Sequence, residues 1–254
     1  MGNILDHPFT LFAVALVCQW LAAYAGDFLH RRVRPVRRDE REDLDNVQVA
    51  ILTLLALIIG FTFSMAVTRY DQRKNYEEAE ANAIGTEFLR ADLLPAENAA
   101  NVRELLRRYL DQRISFYETV DRREISRISA DTAKLQAELW SAIWPAANAQ
   151  PTPVRALAVS GMNDVLNSQG YTQAAWWNRI PPAAWALMAL IAIACNLLLG
   201  YGERSKRVLL LLVIPVVVSI AFLLIADIDS PRGGIIRVIP VNLVTLSQSI
   251  KAPP

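Results

Sequence analysis

Hydrophobic and polar positions alternate along this chain on two scales. On the long scale, four runs, Phe9 to Gly26, Val47 to Val67, Ala183 to Tyr201 and Val208 to Ala226, hold 18, 21, 19 and 19 residues without one Asp, Glu, Lys or Arg. About 20 predominantly apolar residues in a helix cross the hydrocarbon core of a bilayer. Only a helix or a closed barrel satisfies its own backbone there. On the short scale, apolar residues recur every three or four positions in the charged stretch between the second and third runs. They are Val102, Leu105, Leu106, Tyr109, Phe116, Tyr117 and Val120, then Ile128, Thr132, Leu135, Leu139, Ala142 and Ile143, then Val154, Leu157, Ala158, Met162, Val165 and Leu166. That spacing predicts amphipathic helices.

The pattern predicts an all-α polytopic membrane protein with four transmembrane helices and a helical extramembrane bundle between the second and third spans. Residues 1–67 form a first transmembrane hairpin around a basic loop, 27–46. Residues 68–182 form the extramembrane domain, 183–226 a second hairpin, and 227–254 a C-terminal extramembrane segment. No helix breaker closes the second span, so one long helix is expected to leave the membrane and end near Pro95. Pro145 to Pro153 reads as a breaker-rich loop, and Pro215 as a kink within the fourth span. After Asp227 a turn and an interfacial segment are expected, as a short helix or a strand.

Charge sets an expected orientation. His30 to Asn46 carries Arg31, Arg32, Arg34, Arg37, Arg38 and Arg41, and the turn between the last two spans carries Arg204, Lys206 and Arg207. Both lie on one side, which the positive-inside rule makes cytoplasmic. In a bacterial inner membrane both termini and the central domain would then be periplasmic, although Arg69, Arg73, Lys74, Arg179, Arg232 and Arg237 flank the spans on the other side. No Lys or Arg precedes the first apolar run, so the first span is expected to be retained. Trp20, Tyr24, Trp176, Trp177 and Trp185 read as interfacial anchors. A net charge of +1 points to no nucleic-acid partner. The expected partners are the lipid bilayer, further copies of the chain and small inorganic ions.

Candidate chemistry is sparse. His7 and His30 are the only histidines, outside any nucleophile or ligand pattern, and Cys18 and Cys195 both lie in spans. Neither an enzyme, a metal site nor a bound cofactor is expected. The spans contain no ionisable residue of the kind a coupled transporter carries. Their polar residues are Gln19, Thr53, Thr62, Ser64, Asn196 and Ser219, with Gly60 as the expected close-contact position. Such residues commonly join helices by hydrogen bonds. Thr53, Gly60, Ser64 and Val67, spaced by seven, four and three, also share one face of the second span and are candidate pore-lining residues in an oligomer. Arg69, Asp71, Arg73, Asp227 and Asp229 are candidate outer-mouth charges, with helix-end ion pairs as the plainer role. The two aspartates are also a weak signal for a divalent cation.

Two segments carry a resemblance. GFTFSMAVTRYDQRKNYEEAEANAIGTEFLRADLLP, Gly60 to Pro95, and DIDSPRGGIIRVIP, Asp227 to Pro240, resemble the bestrophin-like membrane protein family. The Tyr-Asp-x-Arg step (Tyr70, Asp71, Arg73), the run Glu80 to Gly85 and the Asp-x-x-x-Pro-x-x-Gly ending carry the match. The resemblance implies similarity to bestrophins, pentameric chloride channels whose long helices continue out of the membrane. The pore and calcium-clasp motifs of bestrophins are not evident, so ion, gate and subunit number stay open. The expected function is an oligomeric channel or channel-like pore. The alternative is a non-conducting envelope scaffold or sensor whose helical bundle binds a partner. The resemblance also draws attention to Ala79, Ala81, Ala83 and Gly85 as a small-residue surface for close packing of another helix.

Overall fold

The computed structural model describes residues 4–33, 38–202 and 208–251. Among the described residues eight α-helices follow in order: α1 (Pro8–Val33), α2 (Arg38–Arg90), α3 (Ala96–Glu118), α4 (Arg122–Asn148), α5 (Pro153–Trp177), α6 (Pro182–Gly202), α7 (Val208–Asp229) and α8 (Val241–Lys251). Short 3-10 turns precede α1 at Ile4–Asp6 and follow α2 at Ala91–Leu93. Four helices are long and apolar enough to cross a membrane, carried by α1, the first part of α2, α6 and α7. No strand occurs among the described residues, so the segment after Asp227 resolves into turns and the helix α8. Arg34, Arg37, Arg204, Lys206 and Arg207, on which the orientation partly rests, lie outside the described residues.

The helix ends follow from local chemistry. Asp121 caps α4 by accepting from the Arg123 backbone N–H at 2.9 Å. Thr152 caps α5 by accepting from the Arg155 N–H at 3.2 Å, with Pro153 in the first turn, where its missing donor costs nothing. The loop expected from Pro145 begins later than the prolines imply. Buried Ala146 and Ala147 are good helix formers and carry α4 on to Asn148. Likewise α5 runs to Trp177, well beyond the short helix its apolar spacing marks.

The chain divides into two compact units, the first within Met1–Tyr70 and Arg179–Arg237, the second within Asp71–Asn178 and Val238–Pro254. In the first unit α1 packs against α6 and α7. The α1 and α6 backbones approach most closely at two glycines. A methyl group on Gly26 would fall on the Leu197 carbonyl, and one on Gly200 on the Ala23 carbonyl. Small residues permit that approach where no hydrophobic force drives helices together in lipid. Gln19 donates to Ser219 at 3.0 Å and accepts from Asn196 at 3.1 Å, tying α1, α6 and α7 through one polar chain. Leu55, Ala66, Trp185, Met188, Phe222 and Ile225 form the apolar core, with Trp185 edge-on to Phe222 at 6.1 Å. Trp185 is thus a core residue rather than an interfacial anchor.

In the second unit, Val102, Leu106, Tyr109 and Leu110 of α3 meet Leu139 and Ile143 of α4 and Met162 and Val165 of α5 in a fully buried core. Trp176 also turns inward, its ring 5.0 Å from Phe116 and 5.4 Å from Tyr117, so it too is no surface anchor. Buried charge threads this core. Glu80 accepts from the Arg113 guanidinium, from Tyr117 Oη at 3.3 Å and from Thr172 Oγ1 at 3.1 Å. Arg113 also lies over the Phe116 ring at 4.5 Å. Burial opposes its charge, but the Glu80 carboxylate more than offsets that and holds the guanidinium pKa above its usual value. Burial, reinforced by Glu80, pushes the Tyr109 and Tyr117 phenols up, so both stay neutral. Glu77 caps α8, accepting from the Leu243 N–H at 2.9 Å and from Asn242 Nδ2 at 2.6 Å. Leu246 of α8 rests on Gly85, so α8 of the same chain uses part of the small-residue surface.

Removing one member of the Glu80–Arg113 pair strands the other without water. Arg113→Ala is expected to destabilise the protein by about 3–5 kcal/mol. The double variant Glu80→Leu/Arg113→Met should recover most of that loss, because it buries no charge. Thermal unfolding in detergent, followed by circular dichroism, checks both; a double variant as unstable as Arg113→Ala would contradict the account.

Candidate functional site

The membrane part of α2 presents a stripe that the rest of the first unit leaves open. Thr53, Leu57, Gly60, Ser64 and Thr68, spaced by four, three, four and four residues, are all exposed. Gly60, expected to be a close-contact position, is the opposite within the subunit: a methyl group there would meet nothing within 4 Å. Val67 turns away from this stripe and is half-buried against the core that contains Trp185 and Phe222, because it stands one residue off the exposed line. Thr68 takes the corresponding exposed position, one the spacing argument missed by following a three-residue step instead of a four.

Three threonine hydroxyls of α2 are satisfied locally. Thr53 donates to the Val49 carbonyl at 2.8 Å, Thr62 to Ile58 at 2.7 Å and Thr68 to Ser64 at 2.9 Å. A threonine that returns its proton to the preceding turn keeps an acceptor lone pair outward and needs no partner helix. By contrast, Gln19, Asn196 and Ser219 are buried and hydrogen-bonded to one another. Beside the stripe, Gly60 and Phe63 border an apolar groove of about 420 Å³ between α2 and α7, floored by Leu55, Val218 and Ile225.

The candidate mouth charges separate into different roles. In the first unit, Asp229 is 1% exposed, accepting from the Ile180 N–H at 3.1 Å and from Arg179 Nε at 3.2 Å. Arg179 also binds Asp6 and donates to the Leu5 carbonyl at 3.1 Å. Its guanidinium therefore stands between two carboxylates. Asp227, 6% exposed, accepts from the Ile235 and Ile236 N–H groups at 2.7 and 2.9 Å and folds the glycine turn back on the end of α7. The two aspartates point to different partners rather than converging, and no cluster of three metal-ligating side chains occurs among the described residues. Arg69 is half-buried, with Nη1 enclosed and lacking a hydrogen-bond partner.

In the second unit Arg73 is buried and donates to the Ala175 carbonyl at 3.3 Å, whereas Asp71 is exposed. Asp6 and Arg179 were not among the sequence candidates. They lie 173 residues apart, and only a loop of Asp6 beside a membrane helix, without pattern, would have marked the first. Chemically, the first unit offers a helix face of hydroxyl, glycine and apolar positions, while Asp227 and Asp229 serve the chain's own architecture.

Residues 10–243 match the Bestrophin-like domain family. Among solved structures, a point mutant of a bacterial bestrophin homologue from Klebsiella pneumoniae is 14% identical, with a TM-score of 0.64 over 94% of this chain and 97% of that one. A structure of the Klebsiella pneumoniae homologue phased on zinc is 15% identical, with a TM-score of 0.61 over 96% and 99% of the two chains. At that identity the likeness is one of fold. No curated protein matches the sequence. With more than nine-tenths of its length inside the family match, and with the helical fold of the solved bacterial homologues, the chain belongs to the bestrophin-like family.

Proposed function

We propose that the chain assembles into a homo-oligomer whose copies of α2 surround a path for small inorganic ions. The observation that carries this reading is the open α2 stripe. Thr53, Gly60, Ser64 and Thr68 are exposed at the depth where lipid offers polar groups nothing, while Gln19, Asn196 and Ser219 of α1, α6 and α7 are enclosed. Four spans in one chain are too few to enclose an ion path, so copies must supply the wall. Asp71, three residues beyond Thr68 on the same helix and exposed, is the carboxylate best suited to face a permeant ion. Asp227, Asp229 and Arg73 are committed to intrachain bonds.

A second reading rests on two apolar residues of that face, one in the stripe and one beside it. Leu57 is 53% and Phe61 66% exposed. If these apolar side chains meet across the oligomer axis, they close it, and the assembly is a non-conducting scaffold or sensor. The arginines at the end of α1 and the start of α2 favour a cytoplasmic position for that loop, with the termini and the second unit in the periplasm.

Three measurements test these readings. Purified protein of known oligomeric state in planar bilayers should give unitary currents that Ser64→Trp abolishes without loss of assembly; unchanged currents in assembled Ser64→Trp remove α2 as the wall. Asp71→Asn should lower the cation-to-anion permeability ratio, by up to about 25-fold, since a charge about 4 Å from an ion in water is worth about 1 kcal/mol, favourable to a cation and unfavourable to an anion. An unmoved reversal potential returns Asp71 to the solvated surface. Finally, Leu89 is exposed in the second unit. Leu89→Cys should react with a membrane-impermeant maleimide in intact spheroplasts; labelling only after lysis reverses the proposed orientation.

A further inference from the structure

The second unit buries a carboxylate that none of its structural bonds uses. Glu87, three residues from the end of α2, is 0% exposed, and neither carboxylate oxygen has a hydrogen-bond partner. Its side chain lies against Gly161 of α5 so closely that a methyl group there would fall on Oε2. The glycine is what lets a carboxyl occupy this position. An ionised carboxylate without water or a donor is among the costliest groups to bury, whereas the neutral acid is tolerated.

The charges around it do not neutralise it. Arg90, on the same helix, reaches the same Gly161 surface and favours the ionised form, while Asp164 of α5 opposes it. From α3, Arg103 is taken up by Asp92 and lies over the Phe88 ring, and Arg107 pairs with Glu104 and lies over the same ring. Nearby Glu80 makes the contrast: equally buried, it accepts from Arg113, Tyr117 and Thr172.

From this geometry we infer that Glu87 is a proton-binding site that locks the last turn of α2 onto α5 when neutral and drives the two helices apart when ionised. Burial, less the effect of Arg90, pushes its pKa up to about 8 from an ordinary value of 4.5. The sign follows. A carboxyl whose folded pKa stands above its unfolded one gives stability that is complete below pH 4.5 and lost as pH rises to 8. The closed contact therefore weakens about tenfold per pH unit on the way up, and no further above the folded pKa. The switching range spans neutral pH.

The test uses full-length protein in detergent micelles. Infrared difference spectroscopy should show one carboxylic-acid C=O band that titrates with a midpoint near 8 and is missing from Glu87→Gln. Hydrogen exchange of peptides covering 84–93 and 155–168, corrected for intrinsic rates, should lose protection between about pH 6 and 8 in the wild type and stay level in Glu87→Gln. Gly161→Ala provides a second variant should Glu87→Gln fail to fold. Its methyl group displaces the carboxylate, so the midpoint should fall toward the ordinary range and the pH-dependent loss of protection should shrink. Absence of a carboxyl titrating above pH 6 overturns the inference. So does a wild-type exchange profile that Glu87→Gln reproduces, or a band that titrates with no change in protection.

Discussion

Polar groups in this protein must be satisfied where water cannot help, and that constraint organises most of what its helices do. In the membrane the backbone pairs with itself in helices, and the remaining side chains follow suit. Gln19, Asn196 and Ser219 form one hydrogen-bonded chain across three helices, and Thr53, Thr62 and Thr68 of α2 bond their own preceding turns. Each solution has a different consequence. A side chain spent on another helix fixes packing; a hydroxyl spent on its own turn leaves the outer face of the helix free to meet something else. That difference separates the interior of the subunit from the stripe Thr53, Leu57, Gly60, Ser64 and Thr68.

The same constraint operates in the extramembrane core. Glu77 and Glu80 are buried, and each has its donors: the first turn of α8 for one, Arg113, Tyr117 and Thr172 for the other. Both carboxylates lie on α2 and set the places of α3, α5 and α8 around it. Glu87, about two helical turns further along the same face, has no donor and is the point at which the packing depends on a proton rather than on a partner. A single helix thus carries stabilising carboxylates and one whose stability contribution varies with pH.

At the ends of the spans, Arg179 shows how a cation can be supplied by the chain itself. Its guanidinium joins Asp6 and Asp229, and Asp227 closes the neighbouring turn through backbone N–H groups. Acidic residues that look available in the sequence are consumed by this local architecture. The exposed Asp71 differs because its position on the helix turns it away from any such partner.

What the sequence by itself determined is the membrane character, the four spans, the all-helical class and the family. Each of these depends on local runs or periodicity: 18 or more uncharged residues, a three- to four-residue repeat, two contiguous motifs. The helix limits were less legible, since Pro145 reads as a breaker until Ala146 and Ala147 are seen buried behind it. Tertiary structure alone decided which polar residues are free. Val67, a candidate by spacing, is turned inward while Thr68, which the spacing passed over, is exposed; Asp71 and Arg73 are indistinguishable as sequence candidates, yet Arg73 is turned inward. Trp176 and Trp185 look like interfacial anchors and pack in cores. The pairing of Asp6 with Arg179, and the lack of any pairing for Glu87, depend on segments far apart in the chain that meet only on folding. Burial and donor geometry, not residue type, then fix whether a charge is structural, exposed or held neutral.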